Sequence, residues 1–399
     1  MIIVGGTYAE YCRFPNRSRI MGSGFRAAAA LSQADSSLQL ISSIDADSRS
    51  EAEQTSASFS FQADWQPRSG RIEFDYFTPL TSPHVLGERS VSEELVFGGQ
   101  DEALVFGMLE SRIRGSADFV VFDPQRPRDT SGSELSRIQS QHLAIVANSV
   151  ETAHLGEDPD PLKAAKNVLH KYNADVVITK RGARGVLVTT ARFQEEIGAH
   201  PTASVMPIGS GDIFSAGFAW AWAKEKFDPI ESAQIASAAT ATYVFTETLP
   251  LRKGVLTDRA HLAPALAPRD VRIYLAGPFF TMPEYWLVDS IESAVRDLGA
   301  SVFSPLHEIG LGGDEVVAKD VAGLRECNGV LALLDHLDPG TVFEIGWATR
   351  FGLPIVVYIA RGHSEGLKMI RGTGAEIYDD LSTAVYRAIW RAMGAEPIK

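Results

Sequence analysis

Two carboxylates, Asp338 and Glu344, stand on either side of a Pro-Gly-Thr turn at residues 339–341. The chain before and after this stretch is apolar and β-branched, which predicts a strand, a loop and then a helix with Glu344 near its start. A carboxylate in such surroundings costs free energy unless it is paired or used in chemistry. The spacing is equally consistent with an alternative, in which Asp338 caps the helix and the helix dipole favours Glu344 in the first turn.

A tyrosine and a Gly-Pro turn are predicted to lie beside these carboxylates. Tyr274 belongs to a predicted strand over residues 271–276, after which the chain turns at Gly277 and Pro278. Ligands of open α/β sheets bind at the carboxyl ends of the strands, so this turn and the loop before Glu344 are expected at the same edge. We therefore expect the Tyr274 hydroxyl to reach Glu344, and the Gly277 backbone to approach a ligand closely.

A further carboxylate, Asp212, follows a small turn formed by Gly209, Ser210 and Gly211. Backbone N–H groups at such a turn, at the start of an apolar helix, can bind an anion. An aspartate there can accept the proton of an attacking hydroxyl, as phosphoryl transfer requires. The alternative is a plain helix cap without a chemical role.

Two α/β blocks are predicted to position these residues. Residues 1–258 alternate short apolar runs with helical patterns, which is typical of a parallel sheet covered by helices. Residues 259–270 contain two prolines and no strand pattern, and are predicted to be a linker. Residues 271–399 restart the alternation as a small doubly wound domain. The predicted elements are strands 2–4, 119–122, 144–147, 176–179 and 186–188 with helices 102–112 and 161–172 in the first block, and strands 271–276, 301–303, 330–334 and 355–359 with helices 284–298, 315–326, 343–351 and 381–393 in the second.

The composition narrows the class of protein. The chain has 399 residues, of which 45% are hydrophobic and 22% charged, as in an ordinary globular protein of two or three domains. A net charge of −13 argues against a nucleic-acid partner. Two distant cysteines, Cys12 and Cys327, predict no disulfide framework and favour the cytoplasm. The first residues are expected to form a strand and not a signal peptide, and no apolar run approaches the roughly 20 residues of a membrane helix.

The second block resembles the nucleoside 2-deoxyribosyltransferase family. The resemblance covers residues 271–393 and is carried by Tyr274-Leu-Ala-Gly-Pro278, by the stretch from Asp338 to Gly346, and by Gly352-Leu-Pro-Ile-Val-Val357. It implies a small doubly wound, flavodoxin-like fold that needs no cofactor. It also implies a homo-oligomer, because sites in this family are often completed by neighbouring subunits.

The same resemblance implies residue roles. Glu344 would be the nucleophile, Tyr274 would donate a hydrogen bond to it, and Asp338 would hold the sugar hydroxyls or assist the leaving base. Substrate contacts are expected from Gly277, Gly340 and Asn328, the last at a position where the family usually has an aspartate. The implied reaction is retaining glycosyl transfer, in which a carboxylate attacks C1′ of a (deoxy)nucleoside or its 5′-monophosphate and water or a second base then takes the sugar.

The first block resembles the ribokinase-like (PfkB) sugar and nucleoside kinases. The matching pieces are residues 120–126, Asn148-Ser-Val-Glu151, Thr179 to Gly185, and Gly209 to Asp212. The resemblance implies a three-layer ribokinase-like domain that uses ATP and Mg²⁺ to phosphorylate a sugar or nucleoside. By this resemblance Asp212 would be the catalytic base, and Glu10 would stand in place of the substrate-binding aspartate. Asn148 and Glu151 would organise Mg²⁺ indirectly. The anion hole would be formed by Gly209, Ser210 and Gly211, and the nucleotide side by Lys180, Gly182 and Gly185.

Two functions follow for the whole chain. In the first, a bifunctional enzyme of nucleoside or nucleotide metabolism couples phosphorylation to N-glycosidic cleavage. In the second, the kinase-like domain binds a nucleotide without catalysis and regulates the N-glycosidase. The second is motivated by Met206-Pro207-Ile208, where the family usually has Asp-Thr a few residues before its glycine turn.

Overall fold

The computed structural model describes residues 1–87, 93–125, 131–257, 262–310, 312, 316–335, 337–360 and 366–398. The chain divides into two compact units. Unit 1 comprises residues 1–181, 185–197 and 207–262, and unit 2 comprises residues 182–184, 198–206 and 263–399. Part of the predicted linker 259–270 lies outside the described residues. Within the described ranges, every helix is too short or too polar to cross a membrane.

Unit 1 is built around two sheets. Its strands are β1 (Ile2–Val4), β2 (Tyr8–Cys12), β3 (Arg17–Met21), β4 (Gln39–Ile44), β5 (Gln62–Pro67), β6 (Glu73–Tyr76), β7 (His84–Leu86), β8 (Glu93–Phe106), β9 (Ser111–Asp123), β10 (Ile138–Asn148), β11 (Val176–Lys180), β12 (Val186–Thr190) and β13 (Gln194–Ile197).

The large sheet has nine described strands in the order β13-β12-β11-β10-β9-β8-β1-β4-β5. All neighbours are parallel except β11–β12 and β12–β13. The apolar runs 120–122 and 144–147 are buried, as expected for strands covered on both faces. All five strands predicted for this block lie within observed strands.

The predicted helix 102–112 is wrong. Residues 93–106 form β8 and residues 111–123 form β9, and the two strands pair in parallel. Ala103–Phe106 is a short, fully buried apolar run. Such a run has no clear period, so sequence alone cannot separate a buried strand from a buried helix.

The smaller sheet of unit 1 contains four described strands in the order β3-β2-β6-β7. Its first two strands, β2 and β3, follow β1 in the chain and form an antiparallel hairpin. Its other two strands, β6 and β7, follow β5 in the chain; β6 pairs in parallel with β2, and β7 pairs antiparallel with β6. Glu10 lies in the middle of β2 and faces the protein interior, because only 7% of it is exposed.

The helices of unit 1 include two that position its candidate site. Every residue of α1 is buried, and its alanines allow close packing against α6. The helix α6 begins directly after Gly209, which takes a left-handed conformation with φ +82°. The described helices are α1 (Ser23–Leu31), α2 (Ala46–Phe59), α3 (Ser131–Leu135), α4 (Ser149–Gly156), α5 (Pro161–Lys171), α6 (Ser210–Phe218), α7 (Pro229–Thr246) and α8 (Lys253–Thr257), with a π-helical turn at Ala219–Lys224.

Unit 2 is a doubly wound α/β domain, as predicted. Its parallel sheet has the strand order β15-β14-β16-β17-β18. The first strand in the chain, β14, lies between β16 and the edge strand β15. The elements are β14 (Arg272–Ala276), α9 (Met282–Asp297), β15 (Ser301–Phe303), α10 (Pro305–Glu308), α11 (Val316–Arg325), β16 (Gly329–Leu333), α12 (Pro339–Phe351), β17 (Ile355–Tyr358), α13 (Lys368–Gly372), β18 (Glu376–Tyr378) and α14 (Leu381–Met393).

One boundary in unit 2 differs from the prediction in a way that matters for the site. The helix α12 begins at Pro339 and not at residue 343. Proline is well suited to the first helical position, where its missing N–H leaves no helical hydrogen bond unmade. Glu344 therefore lies in the second turn of the helix, and Asp338 is the residue that caps it.

Candidate functional site

The Tyr274–Glu344 pair is the centre of the candidate site in unit 2. Tyr274 projects from β14 and is fully buried, and Glu344 projects from α12 after the carboxyl end of the neighbouring strand β16. The Tyr274 hydroxyl donates a hydrogen bond to Glu344 Oε1 at 2.6 Å. The contact expected from the sequence is therefore present, at the edge where ligands of such sheets bind.

The surroundings of Glu344 raise the pKa of its carboxyl to near neutral pH. Burial raises the pKa of the Glu344 carboxyl to about 7, the hydrogen bond from Tyr274 acts in the opposite direction, and the nearby carboxylates Asp320 and Asp338 raise it further. Burial and the Glu344 charge raise the pKa of Tyr274 far above its usual value, so this phenol stays protonated and donates. A carboxyl that titrates near neutral pH beside a fixed donor is an arrangement common in active sites.

Asp338 caps the start of α12 in addition to lying near Glu344. Its Oδ2 accepts hydrogen bonds from the Thr341 backbone N–H at 2.7 Å and from Thr341 Oγ1 at 2.9 Å. The helix-cap alternative thus describes Asp338 correctly, although its charge still acts on Glu344. Gly340 lies against this cap, since a Cβ there would be 3.1 Å from Asp338 Oδ2.

Asp320 is a member of this cluster that the sequence interpretation missed. It lies on α11, its Oδ1 is buried without a hydrogen-bond partner among the described residues, and burial raises its pKa. Its charge also raises the pKa values of Glu344 and Tyr274. The available signal was a lone acid one turn before the buried Gly323 and Leu324, on the face of α11 that packs inward.

Asn328 lies away from the cluster. It precedes β16, whereas Asp338 and Glu344 follow that strand, so Asn328 is at the opposite edge of the sheet. Its side-chain Oδ1 accepts a hydrogen bond from the Arg272 backbone N–H at 2.8 Å, and its own N–H donates to the Arg272 carbonyl at 2.8 Å. These bonds join the starts of two strands, and the structure does not place Asn328 as a substrate contact. The expectation rested on the family resemblance, in which an aspartate usually stands just before this strand, and the fold places that end of β16 away from Glu344.

An apolar groove follows the turn at Gly277 and Pro278. It has a volume of about 440 Å³, and its large exposed side chains are Phe280, Met282, Tyr285 and Trp286. Gly277 itself packs tightly, since a Cβ there would lie 3.0 Å from Leu333 Cβ. The groove is lined by Phe279, Phe280, Thr281, Met282, Tyr285, Trp286 and Asp289.

The candidate site in unit 1 has a different character, because Asp212 is paired with a cation. Arg26, on α1, is only 2% exposed, and its Nη1 donates to Asp212 Oδ2. The other oxygen of Asp212 accepts from Gln125 Nε2 at 3.1 Å. Burial raises the pKa of Asp212, and Arg26 partly offsets this rise.

Glu10 completes this cluster from the other side. Its Oε2 accepts from Arg26 Nη2 at 2.5 Å and from Arg19 Nε at 3.3 Å, and its Oε1 accepts from the Gly22 backbone N–H at 3.1 Å. Although burial acts to raise it, the pKa of Glu10 is lowered by Arg26 and Arg19. The predicted substrate-binding acid is thus held by the protein's own guanidinium groups.

The glycine turn lies between two cations. A Cβ on Gly209 would be 2.2 Å from Arg26 Nε, and a Cβ on Gly211 would be 3.4 Å from Lys180 Nζ. Lys180 also donates to Asp123 Oδ2 at 2.7 Å. Ser210, the first residue of α6, donates its N–H to the Pro207 carbonyl. Lys180 beside a helix N-terminus fits the phosphate of a nucleotide such as ATP, whereas Arg26 is buried between Glu10 and Asp212.

The predicted magnesium residues use each other as partners. Asn148 Oδ1 accepts from the Glu151 N–H, and Glu151 Oε2 accepts from the Asn148 N–H, each at 2.8 Å, which makes a capping box at the start of α4. Burial and the Asp123 charge raise the pKa of Glu151 to about 7. One oxygen of each side chain serves the helix cap, and the indirect role of the pair in Mg²⁺ binding stays a prediction.

The two remaining predicted residues of the nucleotide side are glycines in a tight loop. Gly182 and Gly185 have φ values of +56° and +91° and flank a single 3-10 turn. Residues 182–184 group with unit 2, whereas Lys180 and Gly185 belong to unit 1.

Comparisons with known families agree with this division. Residues 95–248 match the family model for pfkB family carbohydrate kinases, and residues 273–373 match that for nucleoside 2-deoxyribosyltransferases. The chain therefore combines a segment of each family, which confirms the resemblance predicted from its motifs.

The curated relatives match only a part of the chain. A cytidine kinase from Thermococcus kodakarensis is 30% identical over 118 residues, which are 28% of this chain and 41% of that protein. An ATP-dependent 6-phosphofructokinase isozyme 2 from Mycobacterium tuberculosis is 28% identical over 127 residues, covering 30% of this chain and 36% of that protein. The chain thus spans less than half the length of these relatives.

A solved structure supports the fold of unit 1. A pyrophosphate-dependent kinase in the ribokinase family, solved as a sulfate complex, aligns over 64% of this chain and 99% of its own with a TM-score of 0.50 and 14% identity. The similarity shows a ribokinase-like fold, as predicted for this unit.

Proposed function

We propose that unit 2 breaks the N-glycosidic bond of a (deoxy)nucleoside or its 5′-monophosphate, with Glu344 as the nucleophile. The observation that supports this most directly is the 2.6 Å hydrogen bond from Tyr274 to a Glu344 carboxyl whose pKa is raised to about 7. The ionised fraction of such a carboxyl is large at neutral pH, and the phenol holds it in one orientation. The match to nucleoside 2-deoxyribosyltransferases supports the same chemistry.

The reaction would run in two steps. A Glu344 oxygen attacks C1′ of the sugar while the C1′–N bond breaks and its electron pair leaves with the base. A proton for the departing base would come from Asp320, whose raised pKa suits an acid and whose buried Oδ1 has no hydrogen-bond partner among the described residues. Water or a second base then bonds to C1′ and gives its proton to the Asp320 carboxylate, while the C1′–O bond to Glu344 breaks and the Glu344 carboxylate is restored.

The apolar groove beside Gly277 supports a flat, aromatic leaving group. Nucleobases are planar and stack on apolar and aromatic side chains. The groove presents the exposed Phe280 and Met282 close to the carboxyl end of β14, from which Tyr274 also projects. We therefore propose a nucleobase site there, while Gly340 and the Asp338 cap fix the start of α12, which carries Glu344.

The test is a base-release screen. Ribo- and deoxynucleosides and their 5′-phosphates are incubated with the protein, with and without an acceptor base, and free base is measured chromatographically. Glu344→Gln should lose at least about a thousandfold in rate, as expected for removal of a nucleophile. Glu326→Gln, an exposed glutamate at the opposite edge of the sheet, is the matched control and should retain the wild-type rate. Equal release by the Glu344→Gln and wild-type proteins would reject the proposal.

Two functions compete for unit 1. One is phosphorylation of a sugar or nucleoside from ATP and Mg²⁺ with Asp212 as base; the relatives named as cytidine kinase and 6-phosphofructokinase support acceptors of these classes. The other is nucleotide binding without phosphoryl transfer, which regulates unit 2. The pairing of Asp212 with Arg26 favours the second. Turnover of ATP that disappears in Asp212→Asn would reject it.

We also propose that the protein acts as a homo-oligomer in the cytoplasm. The transferase resemblance supports the oligomer, and the two unpaired, buried cysteines Cys12 and Cys327 are compatible with a reducing compartment. Light scattering of the purified protein measures the oligomeric state, and a monomeric mass that still releases base would reject a shared site.

A further inference from the structure

We propose that Arg26 is an internal lock on Asp212: its guanidinium occupies the position that the acceptor hydroxyl needs, and unit 1 transfers no phosphate while this pairing persists. The inference deepens the second function proposed for unit 1, because it names the residue that keeps the site silent. It also predicts that removing this residue restores transfer.

Phosphoryl transfer makes a definite demand on the base. The acceptor oxygen forms a bond to the γ-phosphorus of a nucleoside triphosphate, the bond from that phosphorus to the diphosphate breaks, and the hydroxyl proton passes to a carboxylate. That carboxylate must lie within hydrogen-bond reach of the hydroxyl. An adjacent guanidinium also favours the ionised carboxylate and so makes it a weaker base.

Asp212 does not meet this demand. Its Oδ2 accepts from Arg26 Nη1, and its Oδ1 accepts from Gln125 Nε2 at 3.1 Å. Both oxygens are therefore engaged by side chains of the protein. A carboxylate oxygen can accept two hydrogen bonds, but an acceptor hydroxyl must compete here with the buried Arg26 for Oδ2 and with Gln125 for Oδ1.

Arg26 is anchored firmly enough to act as a lock. Its second terminal nitrogen donates to Glu10 Oε2 at 2.5 Å, and its side chain is 2% exposed. The missing side chain of Gly209 provides the room, because a Cβ there would overlap Arg26 Nε at 2.2 Å. The glycine turn and the arginine are thus fitted to each other.

The cluster is also balanced in charge. Two carboxylates, Glu10 and Asp212, face two guanidinium groups, Arg26 and Arg19. The phosphate side of the turn is separate, since Lys180 lies against Gly211 and pairs with Asp123. Binding of an anion beside Lys180 therefore does not require that Arg26 leave, whereas transfer to an acceptor does.

The experiment measures ADP release from ATP and Mg²⁺ with water, ribose or cytidine as the acceptor. Wild type should stay at background. Arg26→Asn frees Asp212, and the double variant Arg26→Asn/Glu10→Gln does so while keeping the charges balanced; both should release ADP at least tenfold faster. Adding Asp212→Asn should return either to background. Arg19→Asn removes an arginine from Glu10 without uncovering Asp212 and should match wild type.

The outcomes separate the lock from the function on which it rests. Wild-type ADP release that Asp212→Asn abolishes overturns both the lock and the non-catalytic function. Background rates in both the folded Arg26→Asn variant, which keeps Glu10, and the folded double variant, judged by circular dichroism, overturn the lock and leave the non-catalytic function standing. If the variants that replace Arg26 by Asn do not fold, Arg26→Lys is the substitute, because it keeps the charge but not the fork-shaped contact. Its ADP release should exceed that of wild type at least threefold, and no increase overturns the lock.

Discussion

The two units each bury a carboxylate near the start of a helix, but they give it different partners. In unit 2, Glu344 is held by the neutral phenol of Tyr274, so it can gain and lose a proton near pH 7. In unit 1, Asp212 is held by the permanent cation of Arg26. A motif locates the carboxylate in both cases, and the partner decides whether the carboxylate is available for chemistry.

The largest expected effect that separates the units is on stability. Arg26→Met should destabilise unit 1 by about 3–5 kcal/mol, because it leaves Glu10 and Asp212 buried without their shared cation. Arg49→Met is the control, since Arg49 is half-exposed and pairs with Glu53 within α2; it should cost less than about 1 kcal/mol. Urea unfolding of both variants measures the difference, and equal losses would mean that the buried cluster is not a tight ion pair.

Glu344→Gln should have the opposite sign. The usual pKa of 4.5 applies in the unfolded chain, whereas the folded value is about 7. Between these values the folded state binds more protons, so the stability of the wild type falls as pH rises from 4.5 to 7 and remains low above 7. The variant lacks this loss and should be more stable than wild type by roughly 2–3 kcal/mol at pH 8, with little difference at pH 4. Thermal unfolding at the two pH values tests this, and an equal effect at both would show that Glu344 titrates normally.

The sequence predicts the elements that carry the sites better than it predicts the partners of the site residues. Periodicity located β14, β16 and α14, because their apolar residues repeat clearly, and the Tyr274–Glu344 contact followed from strand order alone. The run Ala103–Phe106 was assigned to a helix because a short, fully apolar segment has no period to read.

The missed features of the sites have a common cause. Arg26, Gln125 and Asp212 are far apart in the chain, and only the packing of α1 against α6 brings Arg26 to Asp212. Asp320 lies outside the motifs that carry the family resemblance, and its role depends on which face of α11 turns inward. Partners across elements depend on tertiary packing, which local spacing does not specify.

Tyr274→Phe tests whether a neutral donor tunes Glu344. Loss of this hydrogen bond removes one interaction that lowers the Glu344 pKa, so the acid limb of base release, expected near pH 7 in wild type, should move to higher pH. The rate at pH 8 should fall about tenfold, equivalent to about 1.4 kcal/mol. Tyr386→Phe, on α14 of the same unit, is the control. A rate loss without a shifted pH profile would indicate a structural role for Tyr274 only.

Asp338→Ala should have the smallest effect on stability, and it separates the role of Asp338 as a helix cap from its effect on the Glu344 pKa. The change removes the bonds to Thr341 and should destabilise unit 2 by about 1 kcal/mol, as for other lost N-caps. Asp380→Ala is the matched control, because Asp380 caps α14 through the Thr383 N–H at 2.7 Å. Both variants should lose similar stability in urea unfolding. Only Asp338→Ala should move the acid limb of base release to lower pH, since the Asp338 charge raises the Glu344 pKa. Identical pH profiles in the two variants would mean that Asp338 acts on the helix alone.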